Sequence, residues 1–291
     1  MLKRGVITDE ISQDITEAAS LAKKYGLKGL EIRSVWEKGP HELEPEDIQK
    51  IKSVMKEYDL ECCGISSPFY KCEIDSEEEV KANLEILQKC VKLAKELGTK
   101  YIRGFTFWKK GSLDDYIDKI VERYQEPIRI AEENDIYILL EFDPSVFTTN
   151  AKTLTRVLKA INSPRVKGLW DPGNDIYEPD GEIPFPEGYD IIKGHFVHMH
   201  IKDACKREDG TIEGVPFGEG QVDFEGQFKA LVADGYAGYC VMETHYRPKH
   251  EISEELLALP KGSAFSMYGY EATEECLIKW NAMLDKLGIE Y

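Results

Sequence analysis

Strand-like and helix-like stretches alternate along this 291-residue chain from start to finish, and that rhythm leaves few folds open. Short apolar runs mark strands at Gly5–Asp9, Gly29–Arg33, Leu60–Ser66, Lys100–Phe105, Ile136–Glu141, Val166–Trp170, Phe196–Ile201 and Tyr239–Glu243. Helical spacing fills Asp14–Tyr25, Pro45–Tyr58, Ser76–Gly98, Ser112–Glu133, Thr153–Ile161, Glu225–Ala233 and Glu271–Leu287, with a weaker turn near Tyr189–Lys193. The clearest helix starts at a Ser76/Glu79 capping box and ends at Gly98. Val80, Leu84, Leu87, Val91 and Ala94 line one of its faces. Pro127 predicts a kink within the Ser112–Glu133 helix. Eight such units in strict order predict one (β/α)8 TIM barrel domain spanning residues 1–291. Two stretches break the rhythm, at about 175–190 and 247–270. Both follow strand ends, so both are expected as lid-like insertions over the mouth of the barrel.

Acidic or imidazole side chains close the last four strands: Glu141, Asp171, His200 and Glu243. Successive ones lie about one strand–helix unit apart, so side-by-side strands would bring all four to one end of the barrel. Three carboxylates and an imidazole would repel with nothing between them. One divalent cation resolves that repulsion, and three oxygens plus one nitrogen suit Mn²⁺, Mg²⁺, Co²⁺ or Zn²⁺.

Strand parity adds further candidates. His198, His200 and Lys202 alternate onto one face, so His198 is expected one layer below His200 and Lys202 at the mouth, near a substrate hydroxyl or phosphate. In Asp171-Pro-Gly-Asn174 a tight turn would offer Asn174 to a substrate hydroxyl. Tyr70 and Trp108 follow strands three and four and would give a sugar ring apolar walls. Arg103, and Arg33 with it, ends a strand where an anionic substituent could bind, although pairing with the many acids is an equal expectation. His245 falls next to the last strand end.

A formal net charge of −17 repels nucleic acid and anionic membrane at long range. No run reaches the roughly 18 uninterrupted apolar residues of a membrane span, and the N-terminus turns acidic too early for a signal peptide. Seven cysteines without a Cys-x-x-Cys pair read as reduced thiols, so the expected location is the cytoplasm.

Leu-Leu-Glu141-Phe, Asp171-Pro-Gly-Asn174, His198-Met-His200-Ile-Lys202-Asp203, Gly218-Glu-Gly-Gln-Val-Asp-Phe224 and Val-Met-Glu243 together resemble the sugar isomerase/epimerase superfamily with a xylose-isomerase-like barrel. Gly29-Leu-Glu-Ile-Arg33 and Ser67-Pro-Phe-Tyr70 extend the resemblance to the early strands. It implies a sugar or sugar-derived small-molecule substrate and a homo-oligomer, dimer or tetramer. It also implies a divalent ion on Glu141, Asp171, His200 and Glu243, with the two glutamates moving a proton beside a carbonyl through an enediolate. Two departures stand out. Phe142-Asp143 replaces a frequent Asn-His, and Lys202-Asp-Ala-Cys-Lys206 replaces the arginine motif of ketose 3-epimerases. The same resemblance covers dehydratases of keto-inositol or dehydroshikimate. It also covers an apurinic-site endonuclease branch, whose extra ligand histidine is Asn174 here. A non-catalytic sugar-binding barrel is the remaining class.

Overall fold

A computed structural model describes residues 1–179, 181–248 and 266–291. Eight parallel strands close into a barrel in chain order: β1 (Lys3–Ile7), β2 (Gly29–Ile32), β3 (Glu61–Phe69), β4 (Tyr101–Gly104), β5 (Tyr137–Glu141), β6 (Val166–Trp170), β7 (Phe196–Ile201) and β10 (Tyr239–Met242). Closure pairs Gly5 of β1 with Gly29 on one side and Val241 on the other. Side chains are excluded there. A Cβ on Gly29 would lie 2.6 Å from the Tyr239 ring and 2.8 Å from Cys63 Sγ, so only glycine lets these strands approach. Ile7, Cys63, Tyr239 and Val241 form a small apolar cluster of their own, and the larger core lies between sheet and helices.

The helices follow the sequence signals closely. In α1 (Ile15–Lys24) Asp14 caps the first turn, and in α2 (Pro45–Tyr58) proline opens the helix. In α3 (Glu77–Leu97) the Ser76 hydroxyl accepts from Glu79 N, and Gly98 ends the helix at φ +78°. The expected kink falls at Tyr124, which stays in the right-handed helical region between two helices. Helix α4 (Leu113–Arg123) stops before Tyr124, and α5 (Gln125–Asn134) restarts with Pro127 in its first turn. A proline lacks the N–H for the carbonyl four residues back and clashes with it, so the ladder is interrupted at Arg123. Asn150 and Thr153 form the capping box of α6 (Ala151–Ile161).

Asp171-Pro-Gly-Asn174 is not an isolated turn. Asp171 is the N-cap of α7 (Pro172–Tyr177). A turn at Pro184–Gly188 and α8 (Tyr189–Ile192) then complete the stretch expected as the first insertion. After β7 an unexpected hairpin, β8 (Ala204–Lys206) and β9 (Ile212–Gly214), rises from the rim. Helix α9 (Phe224–Ala233) leads to β10, and α10 (Gly269–Leu287) ends the chain. Leu2 N donates to Glu290 O at 2.7 Å, which ties the two chain ends together. Most of the second expected insertion, 247–270, lies outside the described residues. All seven cysteines are free thiols. Among the described residues no helix is long and apolar enough to cross a membrane.

Candidate metal centre

Barrel closure brings Glu141 from β5, Asp171 after β6, His200 from β7 and Glu243 after β10 together. Each offers one ligand atom, all within 4.8 Å of one another, and all four residues are buried. His200 Nδ1 lies 3.0 Å from Glu141 Oε1 and 3.5 Å from Glu243 Oε2. Lys202 Nζ sits 2.6 Å from Asp171 Oδ2 and 3.0 Å from Glu243 Oε2. Asp171 Oδ1 caps α7 by accepting from Gly173 N at 3.0 Å. Its Oδ2 is buried and, among the described residues, has no hydrogen bond of good geometry, only the nearby ammonium. Burial pushes Asp171 up to about 7, because Lys202 only partly offsets it and Glu243 and Glu141 add repulsion. Such a set fits a divalent ion, which would neutralise carboxylates that water no longer screens.

The two glutamates are held alike. Glu141 Oε2 accepts from Arg103 Nη1 at 3.0 Å, and Glu243 Oε1 accepts from Arg33 Nη1 at 2.9 Å. Each therefore keeps one oxygen on an arginine and turns the other into the cluster. Burial raises both, yet both end below the ordinary carboxylate range. Arg103 and His200 do this for Glu141, and Lys202, His245 and His200 for Glu243.

Several expected substrate contacts have other partners. Arg103 is spent on Glu141 and the carbonyls of Ser66 and Ser67. Arg33 is spent on Asp9, Glu10 and Glu243. Lys202 folds inward onto Asp171 and Glu243, because those charges pull it from the rim. Tyr70 points away from the cluster. Its ring stacks between Phe69 and Phe107, and its hydroxyl donates to Arg123 O at 2.9 Å. His198 is one layer below His200, as parity requires, and its Nε2 lies 2.6 Å from Glu31 Oε2. Asn174 Nδ2 donates to Phe142 O at 2.8 Å. Trp108 remains half-buried at the mouth, with Lys71 Nζ 5.7 Å from its ring.

Sequence reasoning missed Glu31, Asp9, Glu10 and Lys71. Glu31 was within reach, since Arg33 as a site candidate puts Glu31 on the same face of β2. It binds both histidines, with His200 Nε2 at 3.1 Å from Oε1. Asp9 and Glu10 follow β1 in a short 3₁₀ turn and gather Arg33, Arg247 and His245 beside Glu243. Lys71 pairs with Asp143 at 2.9 Å over the Phe105 ring, and so fills the departure at Phe142-Asp143.

Glu141, Asp171, His200 and Glu243 thus converge at the C-terminal mouth of a closed parallel barrel, the end at which such barrels present side chains from their strand ends. Residues 19–261 match the family profile described as xylose isomerase-like TIM barrel, and the chain belongs to that family. An L-ribulose-5-phosphate 3-epimerase from Salmonella paratyphi A is 26% identical over 163 residues, which is 55% of this chain and 55% of that protein. The chain thus spans about half the length of this curated relative. Among solved structures, 3-keto-D-glucoside 4-epimerase from E. coli superposes with TM-score 0.67 at 21% identity, over 86% of this chain and 94% of the other. A probable 3-DHS dehydratase from Bacillus anthracis gives 0.73 at 16% identity, over 96% and 99%. At these identities the structural likeness establishes the fold alone.

Proposed function

We propose that this protein epimerises or isomerises a keto-sugar or sugar phosphate by moving a proton on the carbon beside a carbonyl, with one divalent ion (Mn²⁺, Mg²⁺, Co²⁺ or Zn²⁺) as cofactor. The observation that carries this is the buried convergence of Glu141, Asp171, His200 and Glu243 at the barrel mouth. The match to a sugar-phosphate epimerase over half the chain supports it. These four residues would hold the ion, which when bound polarises a carbonyl and so acidifies the neighbouring C–H.

The chain's own residues supply the proton movement. Glu141 and Glu243 are the two proton-moving groups. Arg103 and His200 hold Glu141 ionised, and Lys202, His245 and His200 do so for Glu243; that is the state in which a carboxylate takes a proton. Arg103 and Arg33 fix the two carboxylates in place. Lys202, already at the cluster, is the donor we assign to a substrate oxygen. Asn174 spends its amide N–H on Phe142, so its Oδ1 is the atom we assign to accept from a substrate hydroxyl.

Proton exchange in heavy water tests the reading. Protein loaded with Mn²⁺ is mixed with ketoses, ketose phosphates and keto-inositols and followed by NMR. Deuterium should enter beside the carbonyl, and the labelled carbon names the substrate. Glu141→Gln and Glu243→Gln should each lower the exchange rate by about 10²–10⁴-fold. Full exchange in either variant would remove its assigned role. An unsaturated product absorbing in the ultraviolet would replace epimerisation by dehydration.

A further inference from the structure

Glu31 is a carboxylate of the barrel interior that reaches this centre without joining the four. It stands on β2, and its side chain crosses to β7. Its Oε2 is 2.6 Å from His198 Nε2, and its Oε1 is 3.1 Å from His200 Nε2. The Ser66 hydroxyl of β3 donates to Oε1. Glu31 is 1% exposed. Glu141 and Glu243 each lie against an arginine. Glu31, among the described residues, has only imidazoles and a hydroxyl.

That arrangement gives Nε2 of His200 a buried hydrogen-bond acceptor. An ionised carboxylate only accepts, so the nitrogen facing Glu31 must donate. Nδ1 lies 3.0 Å from Glu141 and 3.5 Å from Glu243, so it also faces ionised carboxylates, and in the ion-free ring both nitrogens donate. On binding an ion together with Glu141, Asp171 and Glu243, His200 would give up the Nδ1 proton, offer that lone pair to the ion and keep the proton on Nε2, facing Glu31. His198 plays the complementary part. Its Nε2–H donates to the other oxygen of Glu31, while its Nδ1 is buried with no hydrogen-bond partner among the described residues.

We propose that Glu31 is a positioning residue. It accepts Nε2–H of His200 and so holds that ring with the Nδ1 lone pair aimed at the divalent ion, while His198 and Ser66 anchor the carboxylate. This rests on the reading of Glu141, Asp171, His200 and Glu243 as the ligand set. A carboxylate behind a ligand histidine sets its tautomer and raises its basicity, and losing such a partner weakens metal affinity by about 10–100-fold. The assignment also gives His198 a task other than touching substrate.

Co²⁺ is the probe, because its visible absorption band reports ligand geometry independently of turnover. Binding is measured by competition with a chromophoric chelator on wild type, Glu31→Gln, Ser66→Ala and His200→Ala, with thermal melting of each metal-free protein alongside. Wild type should take one Co²⁺ per chain, and His200→Ala should lose it. Glu31→Gln should bind about 10–100-fold more weakly with a shifted band. Ser66→Ala should weaken binding in the same direction by a smaller factor. No Co²⁺ on wild type overturns the ligand set itself. Normal wild-type binding, with affinity and band unchanged in both Glu31→Gln and Ser66→Ala, overturns the positioning role and leaves the ligand set standing. Two ions on wild type, one of them lost in Glu31→Gln, would make Glu31 a ligand and also overturn the role. If Glu31→Gln does not fold, Ser66→Ala decides on the same criteria.

Discussion

Tyr70 donates its hydroxyl to the backbone carbonyl of Arg123, and Pro127, four residues on, has no N–H for that carbonyl. One buried phenol therefore repairs the kink between α4 and α5. Tyr70→Phe should cost about 1–2 kcal/mol, because it leaves an acceptor without a partner while keeping the stacked ring. Urea melts measure that loss, and chelator competition should show divalent affinity unchanged. A drop in metal affinity without a drop in stability would return Tyr70 to the substrate site. The residue also marks a limit of what sequence carries. Glu141, Asp171, His200 and Glu243 were legible because strand ends are legible, and a parallel barrel sends all its strand ends to one mouth. Tyr70 follows a strand in the same way, yet its direction depends on a proline more than fifty positions away. Glu31 and Arg103 show the same limit. Their strand positions were readable, but their partners come from other strands and are set only when the barrel closes.

At the scale of elements, the sequence is most reliable where a local rule acts alone. Ser76, Asn150 and Gly98 cap their helices as their residue types require. It is least reliable in 175–190, where six acids and three prolines leave little periodicity. That stretch opens with Asp175 on α7, buried, with neither oxygen in a hydrogen bond of good geometry among the described residues. Burial pushes its carboxyl well above the ordinary range, and Glu182, Asp171 and Glu178 add to the rise. The folded chain therefore holds this proton at a pH where the unfolded chain has released it. Its contribution to stability is complete below the ordinary aspartate value of about 4 and is lost as pH rises through the folded value. Asp175→Asn keeps the shape of the protonated acid and cannot ionise. The variant should match wild type near pH 4 and exceed it by about 1–3 kcal/mol at pH 8. Urea midpoints across that range check this. Parallel curves for the two proteins would show that Asp175 ionises freely in the folded state.

At the scale of the whole molecule, the four proposed ligands come from four adjacent staves, β5, β6, β7 and β10, and so from half of the closed sheet. An ion held there binds the folded chain and not the unfolded one, whose ligands are far apart in sequence. Its binding energy is then folding energy, about 2.7 kcal/mol when the free ion stands 100-fold above its Kd. The rest of the barrel cannot replace it. Lys202 covers Asp171 and Glu243 in part, Arg103 covers one oxygen of Glu141, and Arg33 is shared with Asp9 and Glu10. Stripping the protein with a chelator should therefore lower its melting temperature by several degrees, and Mn²⁺ should restore it. His200→Ala should melt at one temperature with or without chelator. The control matters because net charge of −17 gives any divalent cation a weak screening benefit. Screening would act on His200→Ala as strongly as on wild type, whereas a site would not. Equal sensitivity of the two proteins to chelator would mean that the ion stabilises the surface and that the four side chains hold none.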